Sequence, residues 1–168
     1  MNLVTDIPLL PVFNVGWRRF IEGYEMKKRR VICGLLILFV LIQLIPLKRS
    51  NPPIEKEVPT PPELRAIFHR ACYNCHSNET VWPWYSYLAP VSWLVAQDVS
   101  EAREKMNFTA WNRLDRQKVA ERIKDIGEKV ANGDMPPWYY QIVHPEAHLS
   151  TEDKKRILEW SLRMVRGE

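Results

Sequence analysis

Thr60-Pro61-Pro62-Glu63-Leu64-Arg65-Ala66-Ile67-Phe68-His69-Arg70-Ala71-Cys72-Tyr73-Asn74-Cys75-His76 is an amphipathic helix pattern that runs into a C-x-x-C-H pentapeptide. Thr60 is placed to cap, Pro61 suits the first helical position, and Glu63 completes a T-x-x-E capping box. Leu64, Ile67, Phe68 and Ala71 recur at helical spacing and form one apolar face. Two thiols on one helical turn can add across the two vinyl groups of a porphyrin, with the adjacent imidazole over the iron as proximal ligand. Cys72, Cys75 and His76 therefore read as the attachment site of one c-type haem. A zinc site built from Cys72 and Cys75 plus two of His69, His144 and His148 is the rival, but it leaves His76 unexplained. A thioredoxin-like dithiol requires a βαβ pattern, and the flanks show helix and proline-rich loop instead.

Downstream, the segment Ser77 to Tyr87 is an aromatic, proline-broken loop containing Trp82 and Trp84. Pro90 opens a helix expected to reach about Asn107, with Val91, Leu94, Val95, Val99, Ala102 and Met106 on one side. Leu114 to Ala131 is another, stopped by the Asn132-Gly133 pair, and Ser150 with Asp153 starts a last one striped by Ile157, Leu158, Trp160, Leu162 and Val165. No strand-like alternation occurs, so the fold class is all-α. Six tryptophans in the C-terminal 110 or so residues are many, and a porphyrin offers a flat apolar surface for them. Trp82, Trp84 and Trp138 flank the motifs and are the candidates to cover it; the others read as core.

Upstream, Val31 to Leu47 holds no charge and one Gln across seventeen residues, with Lys27, Lys28, Arg29 and Arg30 before it and Lys48 and Arg49 after it. At ~1.5 Å per helical residue it reaches the short end of a membrane span. An uncleaved anchor is the expectation over a cleaved signal starting at Met26, because the exit Pro46-Leu47-Lys48-Arg49-Ser50 lacks a small-x-small site. Residues 1–30 are then a cytoplasmic tail, whose first 25 are either translated or an over-extended start. Residues 48–62, with five prolines, are an extended linker, and residues 63–168 are the haem domain. Six cationic residues precede the run and two follow it, which by the positive-inside rule puts the C-terminal part on the periplasmic side of a bacterial inner membrane. The net charge of +4 does not imply nucleic acid: residues 51–168 carry sixteen Lys and Arg against seventeen acids, interspersed. Cys33, near the start of the apolar run, reads as an inert thiol.

Asp134-Met135-Pro136-Pro137-Trp138 lies fifty-nine residues after His76, between the last two long helices. A loop thioether stiffened by two prolines can face an iron from the side opposite the imidazole, so Met135 is the leading sixth ligand. His144, His148 and an empty or water-filled position are the alternatives. Short helix, C-x-x-C-H, intervening helices, Met-Pro and closing helix is the chain order of small class I cytochromes c, whose first and last helices cross beside the haem.

CYNCHSNET at 72–80, WPWYSYLAP at 82–90, NFTAW at 107–111, GDMPPWYY at 133–140 and STEDKKRILEW at 150–160 together resemble the bacterial haem-binding domain family of membrane-anchored, single-haem, c-type-like proteins. The resemblance implies a helical domain with covalent haem through Cys72 and Cys75, His76 as proximal ligand and Met135 as the counterpart. The expected role is a one-electron carrier between unidentified periplasmic or membrane redox proteins. A haem-based sensor or binding module with a labile sixth ligand is the second reading. A small peroxidase is the weakest, since no spaced acid–base pair accompanies the motif, and the chain is not expected to be an enzyme.

Overall fold

Residues 47–168 fold around the helix that the opening stretch encodes. The computed structural model describes the backbone of residues 11–167 and the side chains of residues 24–167; the first ten residues of the expected tail lie outside it. Among the described residues the secondary structure is helical apart from one isolated parallel bridge, Lys56 to Ala110. The chain divides into two units, residues 1–46 and 47–168.

Among its described residues the first unit holds one helix, α1 (Pro11–Gln43), which runs through part of the expected tail into the apolar run. It closes in a tight turn, Leu44 N–H to the Leu41 carbonyl at 3.1 Å, and Pro46 prevents its resumption. Only residues 31–43 of the expected 31–47 span are therefore helical, about 20 Å of rise against an apolar bilayer thickness of ~30 Å. No described helix is long and apolar enough to cross a membrane.

The second unit holds α2 (Pro62–Ala71), α3 (Tyr73–His76), α4 (Val91–Lys105), α5 (Arg116–Ala131), α6 (Trp138–Val143) and α7 (Thr151–Arg166). Its core is an aromatic column. Phe68 stacks on Phe108 at 5.3 Å, Phe108 stacks on Tyr73 at 5.3 Å, and Trp160 of α7 meets Phe68 edge-on at 5.3 Å. Leu64, Ile67, Ile123, Val130 and Ile157 close around it. The first and last helices of the unit are thus in contact, and Arg70 of α2 ties them further by donating to Asp153 at 2.7 Å and to the carbonyls of Glu146 and His148 at 2.8 Å each. Helices α5 and α7 pack closely through Gly127, where a Cβ would lie 2.5 Å from Ser161 Oγ.

Local signals behave unevenly. Ser150 and Asp153 form the expected capping box, and Gly133 adopts the left-handed φ of 78° that closes α5 after Asn132. Thr60 does not cap: Pro62 occupies the first turn, Pro61 becomes the cap residue with no side chain to offer, and Thr60 turns its hydroxyl to the Val58 carbonyl. Helix α5 starts after Asp115, which accepts from Lys118 N–H, rather than at Leu114. On α4 the buried positions are Ser92, Val99 and Ala102, while Val91 and Leu94 of the expected apolar stripe face solvent. On α7 Ile157 and Trp160 are buried and Leu162 and Val165 are exposed.

The segment expected to be a linker is part of the domain. Glu55 and Lys56 N–H donate to the Thr109 carbonyl, Val58 N–H donates to the Phe108 carbonyl at 2.8 Å, and Trp111 N–H returns to the Lys56 carbonyl at 2.9 Å. Val58 is buried in the core cluster. Prolines withhold N–H groups only at their own positions, so the residues between them pair with the 108–111 backbone.

Candidate functional site

Helix α2 ends at Cys72, whose carbonyl receives the N–H of Cys75 at 3.2 Å and of His76 at 2.9 Å. That single turn sets residues i, i+3 and i+4 on one face, so both thiols and the imidazole look the same way. All three line one cavity of about 490 Å³, a cofactor-sized space.

The turn is held from behind by groups the motif does not announce. The His76 carbonyl accepts Phe108 N–H at 2.7 Å, and Ser77 Oγ donates to the Tyr73 carbonyl at 2.7 Å. Asn78 N–H donates to Thr109 Oγ1 at 2.8 Å, while Asn107 Nδ2 donates to Asn78 Oδ1 at 2.7 Å. Thr109, in turn, donates its hydroxyl to Asn107 Oδ1 at 2.9 Å. Arg103 adds a clamp: Nε to the Ser77 carbonyl at 2.7 Å, Nη1 to the Ser50 carbonyl at 2.7 Å, and Nη2 to Asn51 Oδ1 and Thr80 Oγ1. Every member of this network finds a partner, which is what rigidity in a buried polar cluster requires.

His76 Nδ1 lies 3.2 Å from the Ala102 carbonyl and 3.1 Å from the Met106 carbonyl at the end of α4. Both are acceptors, so Nδ1 carries the proton and Nε2 keeps its lone pair, the arrangement of a ligand imidazole oriented by its second nitrogen. Burial lowers the His76 pKa against the opposing pull of those two carbonyls, which favours the neutral ring. Burial also pushes the thiols up, Cys72 to about 12 with Cys75 contributing, and Cys75 to about 11 with Asp98 contributing. Both therefore stand as thiols at neutral pH.

Met135 reaches the same cavity from the other end of the chain. The left-handed Gly133 turns the backbone, Asp134 and Met135 N–H both return to the Lys129 carbonyl, and Lys129 Nζ holds Asp134 at 2.9 Å. The Met135-Pro136 peptide is cis, and the Pro136 carbonyl accepts Gln141 Nε2 at 2.6 Å. Of the three sixth-ligand candidates only Met135 lines the cavity. His144 has both ring nitrogens engaged, with Tyr85 Oη at 2.6 Å and Glu146 at 2.8 Å, and His148 Nδ1 meets Gln141 at 3.0 Å. His69 stacks on Tyr73 at 3.8 Å. No group of three or more His, Cys, Asp or Glu converges as a metal cluster among the described residues, so the zinc arrangement is not assembled.

The tryptophans do not behave as expected. Trp84 and Trp138 are 74% and 73% exposed, and neither they nor Trp82 lines the cavity. Phe108, Tyr139 and Tyr140 supply its aromatic surface instead. Tyr140 Oη accepts Asn74 Nδ2 at 2.9 Å, tying α6 to the C-x-x-C-H turn, and Tyr139 Oη donates to Asp98 of α4 at 3.2 Å. The signal lay beside the one followed: Trp138 opens the short helix whose next two residues line the cavity. Lys105, Arg122 and Lys129 line the cavity together with four acids, Asp98, Glu101, Asp125 and Asp134, and two of the cations are already paired, Arg122 with Asp125 at 3.2 Å and Lys129 with Asp134 at 2.9 Å.

A helical domain that presents two thiols and a ligand-competent imidazole on one turn, facing a cofactor-sized cavity with a thioether on it, is built to bind haem. The donor set fits that group, and the chain belongs to the haem-binding domain family, which it matches over residues 37–163. No curated protein and no solved structure matches it.

Proposed function

We propose that the chain is a single-haem c-type protein that carries one electron at a time, with haem bound covalently through Cys72 and Cys75. The observation that carries this reading is the His76 ring: its Nδ1 proton is shared by the Ala102 and Met106 carbonyls, leaving Nε2 free beside both thiols. Bound haem supplies a one-electron iron couple. Met135 would supply the second protein ligand, a reading supported by its place on the cavity, and a thioether there would favour the reduced state. Lys105, whose side chain lines the cavity, would be available to pair with a carboxylate of the bound haem. We read the domain as a carrier and not as an enzyme, because no acid–base pair accompanies the motif in the sequence.

We further propose that residues 31–47 anchor the chain in the bacterial inner membrane with the haem domain on the periplasmic side. The support is the charge pattern around Val31 to Leu47, with Leu44, Ile45 and Leu47 prolonging the apolar stretch beyond α1.

The test is haem retention and spectrum. Cys72→Ala with Cys75→Ala releases haem on denaturing extraction, whereas Met135→Ala keeps it attached but changes the spectrum, gains carbon monoxide binding in the ferrous form and lowers the potential. An unchanged spectrum in Met135→Ala removes that ligand. Ready carbon monoxide binding by the wild type transfers the assignment to a sensor. For the anchor, external protease digests residues 51–168 of a protein that fractionates with membranes; a soluble product starting near Ser50 overturns it.

A further inference from the structure

The segment 84–94 leaves Trp84, Tyr87, Leu88, Val91 and Leu94 exposed, in the one-turn helix Trp84–Tyr87 and the start of α4 packed beside it. Five large apolar side chains in eleven residues form a surface that an isolated soluble domain rarely leaves bare. None of the five lines the haem cavity.

The chain itself indicates what covers them. Leu47 ends the apolar run, and Arg49, with one residue between, is fixed to this same turn. Its Nη1 donates to the Ser86 carbonyl at 3.0 Å and its guanidinium lies 4.4 Å over the Tyr87 ring. Arg103 then fixes the following two residues, through the Ser50 carbonyl and Asn51 Oδ1. Residues 49–51, just after the apolar run in sequence, are thus bonded into the domain beside the exposed face. Trp and Tyr beside Lys48 and Arg49 is also the composition of a membrane–water interface, where amphipathic rings sit among headgroups and cations meet phosphates.

We propose that this face lies in the headgroup region of the bilayer, holding the domain against the lipid surface. The inference rests on the anchoring reading above. It has a consequence for the haem site, since Leu94 precedes Asp98 by one helical turn, ~6 Å, and Asp98 lines the cavity. One end of α4 then meets lipid while its next turns wall the cavity.

Trp84 and Trp138 are equally exposed in the protein, 74% and 73%, and make an internal control. The full haem-loaded chain is placed in phosphatidylcholine and phosphatidylglycerol nanodiscs at one chain per disc, and hydroxyl-radical modification of each residue is followed by peptide mass spectrometry. Trp84 should be modified at least fivefold more slowly than Trp138. Rates within twofold of one another, or protection of Trp138 as well, overturn the proposal while leaving the anchor standing. Protection of Trp84 that requires two chains per disc assigns the face to a second copy and also overturns it. Failure of the chain to enter discs at all defeats the anchoring reading and this one with it. Trp84→Asp with Leu88→Asp gives an independent readout: Tyr87 modification in discs should rise severalfold, and an unchanged rate counts against the proposal.

Discussion

At the scale of single residues, the chemistry of the site is set by what each donor is denied. His76 is denied a second proton by burial, against the pull of the two carbonyls that fix its first proton on Nδ1. Cys72 and Cys75 are denied ionisation, with pKa values pushed up to about 12 and about 11 by burial. Because the folded values lie above the ordinary 9.0, the native state holds protons that the unfolded chain has released. Their contribution to stability is therefore intact below pH 9 and is lost as pH rises through 9 toward 11 and 12. The chain prepared without haem should lose about 2 kcal/mol more unfolding free energy between pH 9 and 10 by urea titration than Cys72→Ala with Cys75→Ala, which keeps only the smaller loss from buried tyrosines such as Tyr73 and Tyr140, themselves pushed up to about 12. In a Cys33→Ser background, native thiols at pH 8 should react with iodoacetamide on the order of 100-fold more slowly than in urea. The sequence shows the identity of all three donors through their spacing. It does not show Ala102 and Met106 as the holders of His76, since backbone carbonyls have no residue signature.

At the scale of elements, signals confined to one turn of chain are the more legible, although Thr60 with Glu63 fails where Pro62 takes the first turn, and signals that depend on a neighbouring element are not. Ser150 and Asp153 satisfy each other within three residues, so their capping box needs nothing from the rest of the fold. The Val91 and Leu94 periodicity on α4 is equally regular, yet those side chains face outward, because periodicity identifies a face without saying what lies against it. Gly127 is the opposite case, a residue with no apolar signal at the closest approach of two helices. An exposed helical Gly→Ala gains up to ~1 kcal/mol. Here the new Cβ meets Ser161 Oγ at 2.5 Å and Ser161 Cβ at 2.9 Å, and that serine is itself fixed by donating to the Ile123 carbonyl at 2.8 Å. Gly127→Ala should therefore destabilise the domain by about 1–3 kcal/mol, and Ser161→Gly in the same chain should recover part of the loss, giving a non-additive cycle by thermal melting. Additivity would mean that the two helices part without resistance.

At the scale of the molecule, chain order was informative and composition misleading. Helix, C-x-x-C-H, helices, Met-Pro, helix brings Met135 to the cavity of Cys72, Cys75 and His76 across fifty-nine residues. Aromatic richness pointed to Trp82, Trp84 and Trp138, but Phe108, Tyr139 and Tyr140 do the lining, since proximity to a motif in sequence does not decide which side of a loop faces inward. Proline richness pointed to a spacer over 48–62, and the residues between the prolines turned out to be hydrogen-bonded into the domain. A chain beginning at residue 59 should accordingly be less stable than one beginning at residue 47 by at least ~2 kcal/mol, the burial of Val58 alone being worth about that much before its backbone pairing is counted. Equal urea midpoints would show that the segment is passively adsorbed. A free proline-rich tether of fifteen residues, at ~3.1 Å each, has a reach of about 45 Å and lets its cargo sample a wide hemisphere. With Arg49, Ser50, Asn51, Lys56 and Val58 all fastened, that leash is wound up. On the carrier reading proposed above, residues 49–58 would add no reach to the domain, so a redox partner's encounter with it would be governed by that partner's diffusion and not by the length of a proline-rich arm.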